Sequence, residues 1–225
     1  MELAGLVESL PPPANIRIPR PVRSRRGNWV EAGFVAWTFL EGTEVPGRYQ
    51  DKLCACDDFT AAFATVAQPR FMAERNDPWT VADRVTWGEV HAAYPEPFHS
   101  LFAQVRQRLT PVDLPSQIIH GDIAGNMGFA AGLPPGVIDL TLYWRPAALA
   151  KALLIADAIT WEDAGPELYQ GFAPSSLAGQ LMLRAALRRM IEQAEQVRMH
   201  GKDSSEAAGC VRRYLDTLQR IGLIT

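Results

Sequence analysis

The chain has 225 residues, 48% of them hydrophobic and 21% charged, with six tryptophans and a formal net charge of -3. That length suits one large domain or two lobes and buries about 70% of the unfolded surface without covalent staples, while the slightly acidic balance excludes a general nucleic-acid binder. Three cysteines, Cys54, Cys56 and Cys210, are too few for a disulfide framework and lack the further Cys or His pair that a zinc site needs.

The opening MELAGLVESLPPP has neither a basic start nor a long apolar core, so no signal peptide is expected. The apolar segment AALAKALLIADAI carries Lys151 and Asp157 and is too short to span a bilayer. With ordinary thiols these features predict a cytoplasmic protein that engages neither membrane nor nucleic acid.

In chain order, residues 2–10 read as a helix stopped by Pro11, Pro12 and Pro13. Residues 16–22 read as extended and 24–28 as a turn. Residues 29–31 and 34–39 (FVAWTF) read as strands by their β-branched and aromatic content. From Tyr49 the period becomes helical, with Leu53, Cys56, Phe59, Phe63 and Val66 on one stripe. Residues 71–85, holding Asn76, Asp77 and Pro78, read as a surface excursion. Phe98, Leu101, Phe102, Val105 and Leu109 form a second helical stripe closed by Pro111. Helices are expected again over 146–159, 176–199 and 204–221, with Ser176 and Ser204 as N-caps. The sum is an α+β chain with a small β-rich lobe over 1–42, ending in a hinge near 38–42, and a helical lobe over 43–225.

Between the helices lies SQIIHGDIAGNMGFAAGLPPGVIDL, residues 116–140. A strand, Gln117 to Ile119, runs into His120, Gly121 and Asp122. Two short strands over 127–129 and 136–139 then form a hairpin closed by Gly132, Leu133, Pro134 and Pro135. Asp122 and Asn126 stand before the hairpin and Asp139 after it. Two carboxylates and an amide supply hard oxygen ligands, which suit Mg²⁺. Phosphoryl transfer needs a carboxylate for the attacking hydroxyl, a role for Asp122, and metal ligands, a role for Asn126 with Asp139. Taken singly, His120 reads as a core histidine, Asn126 as a turn residue and Asp139 as a cap. Their joint order around a hairpin is what points to chemistry.

HGDIAGN followed by VIDL resembles the aminoglycoside phosphotransferase and choline kinase-like family of the protein kinase-like fold. HGDIAGN, YWRP and DAITW further resemble an actinobacterial subgroup of it. The resemblance implies a two-lobe α+β fold with a reduced β-rich N-lobe and a mainly helical C-lobe. It implies Asp122 as the catalytic aspartate, His120 as a structural loop residue, and Asn126 and Asp139 as Mg²⁺ ligands. FVAWTFLEG resembles the strand and hinge whose backbone reads adenine, at Thr38, Phe39 and Leu40. ATP or another nucleoside triphosphate is then the donor and a small-molecule hydroxyl the acceptor.

Two departures follow. One residue fewer separates Asp122 from Asn126 than in the family's usual loop, a difference that Gly125 is expected to absorb. The family also holds the phosphates with a strand lysine upstream of the hinge, paired to a helix glutamate. Here the lysines are Lys52, Lys151 and Lys202, all after it, so Glu2 or Glu8 is expected to lack its partner. Arg17, Arg20, Arg23 and Arg145 are the candidate substitutes, Arg145 being expected to pair with a carboxylate such as Asp157. Asp157, Glu162, Asp163 and Glu167 form an acidic run that suits either a solvated helix end or a cationic substrate.

Two readings therefore stand: a phosphotransferase impaired by the missing lysine, and a non-catalytic kinase-like binding or dimerisation module. Clustered carboxylates without a metal repel one another, which favours the first. A shortened lobe exposes a sheet edge, so a homodimer through that edge, or cover from the N-terminal segment, is expected. A metal-dependent hydrolase built on His120 and Asp122 would need further histidines, and His91, His99 and His200 are not at suitable spacing.

Overall fold

The computed structural model describes residues 2–225, the side chain of Ser176 excepted. Packing divides the chain into two compact units, Met1–Ala73 with Pro115–Ala150 and Glu74–Leu114 with Lys151–Thr225.

The first unit opens with helix α1 (Glu2–Ser9), which buries Ala4 and Val7. The prolines end it, and Arg20 satisfies its last carbonyls by donating to Val7 O at 2.6 Å and Leu10 O at 2.8 Å. Strands β1 (Pro21–Val22), β2 (Val30–Glu31) and β3 (Phe34–Trp37) form an antiparallel sheet with β3 in the middle. Ala32 and Gly33, both at positive φ, make the tight turn between β2 and β3, the twist that two-residue hairpins favour. This sheet leaves Phe34 79% and Val35 46% exposed.

Helix α2 (Tyr49–Ala62) follows and packs on β4 (Ser116–His120). Ring contact between Phe59 and His120, 5.3 Å between centroids, and a bond from Gln117 Nε2 to Thr60 O fix that packing. Strands β5 (Met127–Gly128) and β6 (Gly136–Val137) form the expected hairpin. The sequence gives no warning of β7 (Leu142–Pro146), which pairs with β4 along its full length, from Ser116↔Pro146 to His120↔Leu142. Its partner lies far back in the chain, and its alternation merges into the helix that follows.

In the second unit, residues 71–85 are not a surface excursion. After α3 (Phe71–Glu74), which bridges the two units in sequence, comes α4 (Pro78–Thr86). Asp77 caps α4 by accepting from Thr80 N at 2.8 Å, with Pro78 in the first turn. Ala82, Asp83 and Val85 of α4 are buried, and α4 packs on α7 (Ser175–His200). Helices α5 (Phe98–Arg106), α6 (Ala148–Trp161) and α8 (Ser204–Arg220) complete the set. The caps differ from expectation: Pro174 precedes α7, and Asp203, not Ser204, caps α8 by accepting from Glu206 N at 2.8 Å. Ser204 is instead already helical.

Helix α7 is polar in sequence yet buried, with Arg188 at 1% and Glu195 at 0% exposure. Burial of such charges requires partners. Arg189 grips Asp157 of α6 through Nε at 3.1 Å and Nη2 at 2.5 Å, and reaches Glu192 at 3.1 Å. Tyr214 of α8 donates to Asp157 at 2.8 Å and accepts from Trp161 Nε1 at 2.7 Å. Tyr94 donates to Glu195 at 2.7 Å. Asp157 thus belongs to this buried network, whereas Asp163 and Glu167 of the acidic run are exposed.

Candidate active site

Thr38, Phe39, Leu40, His120, Asp122, Asn126 and Asp139 all fall within the first unit, whereas the acidic run from Asp157 to Glu167 lies in the second. Ile118 and Ile119, both fully buried, anchor β4 and deliver His120 to its end. The His120 ring accepts the Asp122 N–H at Nδ1, 3.1 Å, so Nε2 carries the hydrogen that meets Ile138 O at 3.1 Å. Burial holds this imidazole below its usual 6.5, against the pull of the Ile138 carbonyl and of Asp122 and Asp139. A neutral ring bonded on both sides ties the Asp122 loop to the strand before Asp139.

The loop itself is a tight turn. Gly121 N donates to Thr141 O at 2.8 Å, and Asn126 N to Ile123 O at 3.2 Å. Gly125 is exposed and not at positive φ, so the shortened loop does not draw on glycine's freedom. The Asn126 side chain closes it instead, donating from Nδ2 to Asp122 O at 2.7 Å and to Asp122 Oδ2 at 3.2 Å. Ile138 N then donates to Asn126 O at 2.9 Å. Asp122, Asn126 and the residue preceding Asp139 are thereby bonded in sequence.

Asp139 is exposed and sits at φ 48, a left-handed conformation that costs an L-residue about 1–2 kcal/mol. A bond from Thr141 N to Asp139 O at 2.5 Å holds it there. Strain of this kind is retained where function requires it. Asp139 lines a cleft of about 610 Å³ together with Thr38, Phe39, Leu40, Trp37 and Leu3. The walls are mainly apolar, as small-molecule sites are. Thr38 uses its own N–H on Arg20 O at 2.8 Å and its hydroxyl on Arg20 N at 2.8 Å. Phe39 and Leu40, which also line the cleft, make no backbone hydrogen bond among the described residues.

Three of the cation candidates, Arg17, Arg20 and Arg23, are engaged elsewhere, and Asp157 pairs with Arg189. Arg17 donates from Nε to Pro134 O at 2.8 Å and from Nη2 to Glu41 O at 2.7 Å. Its backbone pairs with Pro135 O at 2.7 Å and Val137 N at 2.8 Å. Arg20 caps α1, and Arg23 pairs with Glu8 at 2.7 Å while stacking on Trp29 at 3.7 Å. Glu8 therefore has a partner, contrary to expectation, and so does Glu2, which accepts from Phe71 N at 3.1 Å.

Oxygen donors are what Asn126 and Asp139 offer a cation. With Nδ2 committed to Asp122, Asn126 keeps its side-chain carbonyl oxygen, which with the Asp139 carboxylate is the kind of oxygen donor set that suits Mg²⁺. Among the described residues no three His, Cys, Asp or Glu side chains gather to hold a metal.

Sequence reasoning passed over Lys52 of α2. It is 0% exposed, with Nζ 3.7 Å from Glu44 Oε1. The available signal was spacing: Lys52 precedes Cys56 and Phe59 by four and seven residues, on the buried stripe.

No protein-family model matches the chain, and no curated protein matches it. Among solved structures it is similar to a spectinomycin phosphotransferase in complex with ADP and spectinomycin. The TM-score is 0.56 at 12% identity, over 92% of this chain and 78% of that one. At that identity the likeness is one of fold, and it agrees with the mixed architecture described above. The chain has the protein kinase-like α+β fold.

Proposed function

We propose that the chain is an ATP- and Mg²⁺-dependent phosphotransferase acting on a hydroxyl of a small molecule, of the aminoglycoside phosphotransferase and choline kinase-like kind. The observation that carries this reading is the bonded series Asp122–Asn126–Ile138, which ends at a left-handed Asp139 lining the same cleft as the hinge. The solved relative's ADP complex supports a nucleotide in that cleft.

In this reading the free backbone groups of Phe39 and Leu40 bond the base, and Trp37 and Leu3 give it apolar walls. Asn126 and Asp139 hold Mg²⁺, which supplies charge neutralisation at the phosphates. Asp122 accepts the hydrogen bond of the acceptor hydroxyl and orients it, while His120 keeps the loop at its distance from Asp139. Positioning of this kind provides much of the rate in phosphoryl transfer. The expected location is the cytoplasm; among the described residues no helix is long and apolar enough to cross a membrane.

A second reading, a kinase-like binding or dimerisation module, is favoured by one observation: the small sheet exposes Phe34 and Val35.

Thermal unfolding with Mg²⁺-ATP, with Mg²⁺ alone and with ATP in EDTA separates the two. A ligand at about 100 times its Kd stabilises by about 2.7 kcal/mol, a shift of about 5–10 °C for a chain of this size. A Mg²⁺-dependent shift that Asp139→Ala abolishes supports the phosphotransferase; no shift at millimolar nucleotide supports the module.

A further inference from the structure

We propose that Lys52 is a positioning residue for the Asp122 loop, its buried ammonium supplying from beneath the positive charge that holds the Asp122 carboxylate; its meaning for catalysis rests on the phosphotransferase reading. Among the described residues Lys52 is the one wholly buried lysine, Lys151 being half-buried and Lys202 exposed. A lysine is almost never fully buried unless its charge is paired.

Helix α2 acts as a ruler for what that charge meets. At its start the Arg48 guanidinium lies over the Phe129 ring at 4.0 Å, and further along Phe59 meets His120 at 5.3 Å between centroids. The helix therefore runs past the segment that joins His120 to Phe129, which contains Asp122 and Asn126. At 1.5 Å per residue, Lys52 stands about 6 Å along from Arg48 and about 10 Å before Phe59. Its spacing of seven residues from Phe59 puts both on the same face. Glu44 fixes the position of the head, since Nζ lies 3.7 Å from its carboxylate. Glu44 follows Thr43, which is bridged to Phe129 by two backbone bonds of 2.8 and 3.1 Å. Lys52 thus stands on α2 between the residues that meet Phe129 and His120, with its head held beside Glu44.

The chemistry of the loop calls for such a charge. Asp122 and Asp139 lie on adjoining, bonded segments. A fixed cation on the α2 side of the loop sets the direction of the Asp122 carboxylate. Lying after the hinge, Lys52 acts on the loop rather than on the nucleotide phosphates.

The test is a double-variant cycle on the full chain, read by thermal unfolding without nucleotide. Asp122→Asn should lower Tm in the wild-type chain by about 3 °C more than in Lys52→Met. Restoring the charge with Lys52→Arg should bring the larger loss back, a rescue that a merely space-filling role would not give. An equal change in both backgrounds, of whatever sign, overturns the proposal. Should Lys52→Met not fold alone, folding of the double variant with Asp122→Asn supports it, and failure of the double variant overturns it. No nucleotide enters this cycle, so a chain without a Mg²⁺-ATP shift but with this coupling refutes the phosphotransferase reading and leaves the placement of Lys52 standing.

Discussion

Asn126 donates from one amide nitrogen to both the backbone carbonyl and the carboxylate of Asp122, at 2.7 and 3.2 Å. One side chain therefore closes the loop and fixes the direction of its aspartate. Asn126→Ala should cost about 1–2 kcal/mol in urea unfolding, the loss expected when a partly buried acceptor loses its donor. The same variant should abolish the Mg²⁺-dependent part of the ATP-induced Tm shift. An unchanged shift would remove Asn126 from the metal site.

Asp139 allows the two roles of one residue to be separated. Its left-handed backbone is strained for aspartate and free for glycine. Asp139→Gly should stabilise the ligand-free chain by about 1 kcal/mol while losing all Mg²⁺-ATP stabilisation. Calorimetry on both forms checks this, and a destabilised ligand-free variant would show that the carboxylate serves the fold.

The buried network around Asp157 bears on stability alone. Removing one partner of a buried ion pair typically costs about 3–5 kcal/mol, because the other is left uncompensated. Arg189→Met should show a loss of this size in chemical denaturation, since Asp157 and Glu192 both lose its guanidinium.

Asp77 gives the fold an acid-sensitive joint. Burial raises its pKa, but the Thr80 N–H and the Arg75 guanidinium outweigh burial and hold the carboxyl below its ordinary 3.8. A depressed carboxyl contributes stability that is present above the unfolded value and lost as pH falls through the folded one. Asp77→Ala should cost about 1 kcal/mol at neutral pH as a lost N-cap. The gap between variant and wild type should close below pH 3.8, which denaturation at graded pH would show.

The hairpin β5–β6 and helix α2 were legible because their signals are local: a Gly-Leu-Pro-Pro turn between apolar pairs, and an apolar stripe of helical spacing. Strand β7 was not, because Leu142 and Tyr143 are held by β4, a partner that no nearby residue announces. Helix α4 was legible in its cap, Asp77 before Pro78, but that pair reads equally as a turn until Ala82 and Val85 find α7. The candidate residues share the same division. Asp122, Asn126 and Asp139 stand out by order, whereas Lys52 looks like a surface lysine until α2 buries it. The burial of Arg188 and Arg189 could not be read at all, since Asp83 and Asp157 come from other helices, while Glu192 pairs with both along α7 itself.

Arg17 joins carbonyls from two distant parts of the chain, Glu41 O at the end of the hinge and Pro134 O in the hairpin turn, while its backbone pairs with β6. Both rims of the cleft are consequently spaced by folding itself, before any ligand arrives. The ordering entropy of assembling them is thus met by the fold, and a bound molecule keeps more of its contact energy as affinity.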